Sequence, residues 1–205
     1  VASVNYPLAH WVNDGLMTVF FLLIGLEIER ELYVGELSNL RNASLPIVAA
    51  LGGMLTPVLI HFAFNQGTPT QRGIAIPMAT DIAFALGALS LLGRRVPVSL
   101  KIFLTALAII DDLGAIAVIG IFYSKDFSLP FLLAALAVFA GLLIFNRLRV
   151  RRLAFYLIPG VLMWYLIGKS GIHPTITGVL LAFAIPFAGG SEDSPSARLE
   201  HFLGR

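Results

Sequence analysis

Two apolar stretches, each long enough to cross a bilayer, carry carboxylates near their middles. The first is GIAIPMATDIAFALGALSLLG (73–93), interrupted by Asp81, and the second is KIFLTALAIIDDLGAIAVIGIFY (101–123), with Asp111 and Asp112 side by side. Spanning a hydrocarbon core takes about 20 apolar helical residues. An ionisable side chain at mid-depth costs on the order of 2.5–3.5 kcal/mol on insertion scales. A carboxylate with no task there is a pure loss, so the default inference is an ion or proton pathway.

Composition supports the membrane reading. Only 13% of residues are charged and 58% are hydrophobic, whereas a soluble domain carries about a quarter charged residues. Seven apolar runs are expected to span, at about 10–32, 44–64, 73–93, 99–123, 129–146, 153–168 and 173–187, with a further helix starting near 196–205. Helices are expected because lipid offers the backbone no partners. The period-2 alternation of a β-barrel is missing. The predicted fold class is therefore an all-α polytopic membrane protein, with residues 1–205 as a single transmembrane helical domain. The absence of cysteine excludes disulfides and thiolate metal sites. The net charge of +2 is small and scattered, so no nucleic-acid partner is expected.

Eleven of the fourteen basic residues fall in alternate loops, those holding Arg30 and Arg41, Arg94, Arg95 and Lys101, the four arginines of 147–152, and Arg198 with Arg205. The positive-inside rule then puts Val1 outside and Arg205 in the cytoplasm. The chain begins at Val1 without an initiator methionine and stops just after ARLEHF. It is expected to be a piece of a longer protein.

Pro77 lies inside the third run and removes a backbone donor four residues after Gly73. Met78, Ala79, Thr80 and Asp81 follow directly. The expectation is a helix broken near mid-membrane, with freed backbone groups, the Thr80 hydroxyl and the Asp81 carboxylate converging. Interrupted helices of this kind build the ion sites of secondary transporters. In the next run Asp111 and Asp112 point about 100° apart on a helix, so they can line one polar seam without sharing a direction. Carboxylate and hydroxyl oxygens with backbone carbonyls suit a hard cation, Na⁺ or Li⁺, better than zinc or copper. Glu27, Glu29, Arg30 and Glu31 crowd the end of the first run. They read as a solvated helix end, or as a charged cluster at an inward funnel with Arg198, Glu200 and His201. Asp14 reads as a helix-start group and His173 as an interface residue with a possible pH role.

The segments PMATDIAFALG, KIFLTALAIIDDLGAI, FFLLIGLEIEREL, KSGIHPTITG and ARLEHFLGR together resemble the NhaA-type bacterial Na⁺/H⁺ antiporters, over essentially the whole chain. The resemblance implies an inverted-repeat transporter fold, a known feature of that family rather than a reading of these residues. It implies a cation- and proton-binding site at Asp112, Asp111, Thr80 and Asp81. It implies a pH-response group at Glu27, Arg30, Glu31, Glu200 and His201, with Lys169 and His173 also linked to pH. Val1 to Pro7 resemble the end of an extracytoplasmic hairpin used in dimer contacts, which makes a homodimer of the full-length protein the expected assembly. The family has about twelve helices, so the first and the last several are not in this stretch. Ala197 stands where relatives can carry a basic residue.

The expected function is exchange of Na⁺ or Li⁺ for H⁺ across the bacterial inner membrane, pH-regulated, with no cofactor and no enzymatic reaction. Two alternatives from other classes are weaker. An intramembrane aspartyl protease needs a GxGD-type motif, and the order here is Asp-Asp-Leu-Gly. A passive cation channel uses rings of oxygens around a pore, not one occluded pocket. The isolated 205-residue stretch is expected to be inactive.

Overall fold

Runs with almost no charge leave the backbone to satisfy itself, and a helix does so within one segment. The computed structural model describes residues 11–74, 76–78, 82–92, 96–97, 99–100, 103–108, 110–112, 114, 127–188 and 194–204. Every regular element among them is helical, as the apolar runs predict. A π-helical turn, Trp11–Leu16, continues into α1 (Met17–Tyr33). After a 3-10 turn Glu36–Ser38 comes α2 (Leu40–Asn65). Two 3-10 turns, Pro69–Gly73 and Ile76–Met78, precede α3 (Ile82–Leu91). The remaining helices are α4 (Leu129–Arg147), α5 (Ala154–Lys169), α6 (Ile176–Ala184) and α7 (Pro195–Leu203). Residues 103–108, 110–112 and 114 are helical as well. The opening residues Val1 to Pro7 lie outside the described residues. The chain divides into two compact units, one of 1–33 with 120–205 and one of 34–119.

In the first unit α1 lies on α6 at unusually short range. A Cβ on Gly178 would come within 2.7 Å of the Leu22 nitrogen and 3.0 Å of the Phe21 carbonyl carbon, and would also overlap the Thr18 carbonyl. A Cβ on Gly25 would sit 2.7 Å from the Ala182 Cβ and 3.1 Å from the Val179 Cα. Small residues at a helix crossing let backbones touch, which matters in lipid because apolar burial alone does not pull helices together. Thr18 and Leu22 meet Gly178 while Gly25 meets Ala182, so the two helices run parallel. By contrast α5 and α6 form an antiparallel hairpin: Gly160 faces Leu181 and Gly168 faces Pro174. Gly171, at φ 87°, makes the turn between them.

Around these crossings a core forms from Leu22, Leu26, Leu142, Tyr156, Met163, Leu181 and Ile185. Several polar atoms around it are paired within the unit. The buried Tyr156 hydroxyl donates to the Val150 carbonyl at 2.9 Å. Asn146 Nδ2, at the end of α4, donates to the Ala184 carbonyl at 3.0 Å. The Trp164 indole donates to the Asp14 carbonyl at 2.9 Å, and the Thr18 hydroxyl donates to the same oxygen. That carbonyl lies in the π-helical turn, where the i→i+4 pattern is broken. The Ser128 amide donates to the Ser170 carbonyl at 2.9 Å and joins the α4 start to the α5 end. After α4, Arg149 takes φ 58°, its amide bonds Asn146 O and that of Val150 bonds Phe145 O. This is the Schellman closure, made here with arginine where glycine is usual.

The second unit is less regular. Its long helix α2 contains Pro46 and Pro57, each of which removes one helical hydrogen bond. A small core joins Ala50 and Met54 of α2 to Met78, with Val58, Leu107 and Ile110 packed against it. Leucines and valine at 48, 51, 55 and 59 form an exposed apolar stripe on α2. Among the described residues two helices, Ala43–Asn65 and Leu129–Arg147, are long and apolar enough to cross a membrane.

Candidate functional site

The carboxylate pair sits on the helical residues that follow the small core of the second unit. Leu107 and Ile110 hold this segment against Met54 and Met78. A Cβ on Gly114 would come within 2.8 Å of the Met54 methyl carbon and overlap its sulfur, so the glycine of Asp-Asp-Leu-Gly is where α2 passes closely. Asp111 is 3% exposed and Asp112 half-buried. Adjacent residues on a helix diverge by about 100°, so one faces the packed interior while its neighbour turns toward the edge.

Met78 is 8% exposed and packs on the core that also holds Ile110, the residue before Asp111. The segment leading to Thr80 and Asp81 and the segment leading to the aspartate pair therefore share one anchor on α2. Pro77 lies exposed within the 3-10 turn Ile76–Met78, and α3 begins at Ile82. Thr80 and Asp81 themselves lie outside the described residues.

The charged end of α1 belongs to the first unit. Arg30 Nη1 and Glu200 Oε1 of α7 are 3.0 Å apart. Glu27 lies within electrostatic reach of Glu200, Arg30 and Glu31. The structure thus brings together four of the five residues expected there, from two helices nearly the whole chain apart. His201, next to Glu200, is exposed. The Ser194 hydroxyl accepts from the Ala197 amide at 3.1 Å and caps α7, with Pro195 in the first turn. At the α5–α6 turn, Lys169 Nζ lies 5.6 Å from the Tyr165 ring centroid. His173 Nδ1 and the Thr175 hydroxyl are 3.0 Å apart. Lys169 and His173 are therefore neighbours in the fold of the turn, and neither joins the α1–α7 cluster through a described contact.

Glu29, read from the sequence as part of a solvated helix end or of a charged cluster with its neighbours, is instead enclosed, and the solvated reading fails for it. Glu29 is 4% exposed and its Oε2 makes no hydrogen bond among the described residues. Its signal is Gly25, four residues earlier and so on the same helix face. A face needing glycine for contact with α6 has little space for water one turn later.

The model of the family described as Na⁺/H⁺ antiporter 1 matches residues 1–205. The chain belongs to that family. Among curated relatives, the Na(+)/H(+) antiporter NhaA of Dechloromonas aromatica is 68% identical over 197 residues, covering 95% of this chain and 51% of that protein. The Na(+)/H(+) antiporter NhaA 1 of Flavobacterium johnsoniae is 62% identical, covering 97% and 52%. The Na(+)/H(+) antiporter NhaA of Bordetella parapertussis is 58% identical, covering 96% and 51%. The chain spans about half the length of the curated relatives it matches. Membership of the antiporter family makes it a helical bacterial membrane protein, which accounts for the exposed apolar stripes.

Proposed function

We propose that this chain is the ion-binding part of a secondary transporter that exchanges Na⁺ or Li⁺ for H⁺ across the bacterial inner membrane. The observation that carries the reading is Asp111, buried at 3% exposure beside half-buried Asp112, in an apolar helical chain of an antiporter family. Asp111, Asp112, Thr80 and Asp81 form the site, and Na⁺ or Li⁺ is cargo rather than a resident metal. The segment around Pro77 is a helix broken near mid-membrane, within an inverted-repeat fold that the full-length protein completes. No cofactor takes part, and nothing is chemically converted.

Exchange follows from competition for the same oxygens. As internal pH rises, the carboxylates release protons and accept the cation from the cytoplasm. The protein rocks about the broken-helix site, gives up the cation outside and takes protons there. If two carboxylates serve one monovalent cation, each cycle moves net charge and responds to membrane potential. Val1 lies outside and Arg205 in the cytoplasm. The parallel packing of α1 and α6 supports the span count, because the first and seventh spans, an even number of crossings apart, must run the same way; the side on which Val1 lies rests on the distribution of basic residues. Glu27, Arg30, Glu31, Glu200 and His201 then lie at the cytoplasmic end as a pH-response cluster, and Lys169 and His173 lie at the outer end. The surrounding partner is the lipid bilayer, which the outward stripe on α2 suits. The full-length protein acts as a homodimer, and the 205-residue stretch alone is inactive.

The test uses the full-length protein in vesicles with a pH-sensitive dye. Asp112→Asn should abolish Na⁺-induced proton movement. Retained exchange would remove Asp112 from the mechanism.

A further inference from the structure

The far end of α2 carries a side-chain network that helix capping does not require. Capping is complete at Thr68, whose amide and hydroxyl both donate to the Asn65 carbonyl, at 3.1 and 2.7 Å. Those bonds satisfy an acceptor that the helix end leaves orphaned. Gly67, at φ 77°, turns the chain back, and its amide donates to Gln71 Oε1 at 3.2 Å. Further ties reach beyond the turn. Thr70 Oγ1 donates to Asn65 Oδ1 at 2.6 Å, and Asn65 Nδ2 donates to the His61 carbonyl at 3.0 Å. His61 Nε2 lies 3.2 Å from the Thr70 carbonyl. A carbonyl only accepts, so Nε2 carries the hydrogen of this bond. The same ring lies beside Gly73, where a Cβ would stand 3.8 Å from the imidazole Cε1.

These ties fix where the returning segment starts. Both 3-10 turns, Pro69–Gly73 and Ile76–Met78, contact α2, and Met78 packs with Ala50 and Met54. The rise from Ala50 to His61 is about 16 Å at helical pitch. The stretch from Thr70 to Met78 covers about 16 Å at 3-10 pitch. The segment therefore runs back along α2, pinned by hydrogen bonds at one end and by methionine packing at the other. Ile76 and Pro77, between the pins, are exposed and hold little of it. Methionine adapts to irregular gaps, so its packing leaves the position along α2 loose, and the directional bonds at His61 and Asn65 set it. Thr80 and Asp81 follow Met78 in the chain. We infer that His61 and Asn65 are positioning residues for the cation site: they latch the Thr70 end of the segment to α2 and so set the height at which Thr80 and Asp81 are presented. The inference rests on the exchange reading of those two residues. His61 and Asn65 do not contact the cation; they act through the chain they hold.

The test uses the full-length protein and has two arms. Amide hydrogen exchange in detergent is compared for the wild type, His61→Leu, Asn65→Leu and His61→Gln. Loss of one hydrogen bond corresponds to about three- to tenfold in local opening. The two leucine variants should speed amide exchange over 69–78 by that factor and leave α4 unchanged. His61→Gln, which keeps a donor where Nε2 stood, should return close to the wild-type rate. In vesicles the leucine variants should raise the apparent KM for Na⁺ about three- to tenfold with kcat held within about twofold, because a displaced site loses cation binding before turnover. His61→Gln should restore KM. Unchanged amide exchange over 69–78, acceleration spread evenly over all helices, or a loosened segment with the wild-type KM would each overturn the inference. A wild type that moves no protons on Na⁺ addition would strike the proposed function instead, and the amide arm would still decide whether the latch holds.

Discussion

In the unit built from 1–33 and 120–205, Gly25 and Gly178 sit where any Cβ would overlap a neighbouring helix. In 34–119 a Cβ on Gly52, Gly53 or Gly87 would meet nothing within 4 Å, and one on Gly73 or Gly114 would crowd only flexible side chains, those of Ile76 and Met54, rather than another helix's backbone. The first unit uses its small residues for contact: glycine at the crossings, then Tyr156, Asn146 and Trp164 tying off polar atoms inside. The second has two prolines in one helix, three 3-10 turns among its described residues and a carboxylate at 3% exposure, around a small methionine-rich core. The difference teaches a division of labour. Close helix contact makes a rigid body, whereas interrupted backbone and buried charge make a place where something can bind. Methionine suits the second setting, since it fills irregular gaps without demanding one shape.

The strongest way to break this contrast is to remove the chemistry and keep the packing. Asp112→Asn should eliminate exchange in vesicles, as above, yet leave the unfolding temperature of the full-length protein near that of the wild type. A large loss of stability would mean that the aspartate is structural. The reverse experiment strikes the packed unit. Gly178→Ala forces a methyl against the Thr18–Leu22 backbone and should cost about 1–3 kcal/mol or more in thermal or denaturant unfolding. Its partner control, Gly52→Ala, meets nothing within 4 Å and should be neutral or stabilise by up to about 1 kcal/mol through helix propensity. Equal effects at the two glycines would erase the distinction between the units.

A smaller effect sharpens the description of the first unit. Ser194→Ala removes the side-chain acceptor at the start of α7 and should destabilise that helix by about 1 kcal/mol, read as faster amide exchange over 195–203. The smallest effect is expected at the Arg30–Glu200 pair. Because Arg30 is 52% exposed, solvent screens the contact, and a double-mutant cycle with Arg30→Gln and Glu200→Gln should return only about 0.2–1 kcal/mol. A coupling several times larger would make this pair a principal tie between α1 and α7 rather than a charge-balancing contact.

Much of the helical layout is readable in one dimension because it depends on local quantities. The runs near 44–64 and 129–146 are where α2 and α4 lie, since a long apolar segment has no other way to satisfy its backbone in lipid. Gly168 to Gly171 forecasts the α5–α6 turn, and the left-handed φ of Gly171 is the reason that glycine serves there. Charge complementarity suggested that the end of α1 and the tail helix belong together. It could not say that Arg30 rather than its neighbours would reach Glu200. The π-helical turn at Trp11–Leu16 also escaped, because the indole that holds it comes from residue 164.

Residue type and spacing by themselves determined the helical class, the membrane setting and the placement of acids within apolar runs. These depend on how single residues partition between water, lipid and backbone. Only the tertiary structure decided that Glu29 is enclosed while Arg30 beside it reaches another helix, and that Met54 rests against Gly114. Neighbours on a helix point in different directions, so what each one meets is set by whichever distant segment packs on that side.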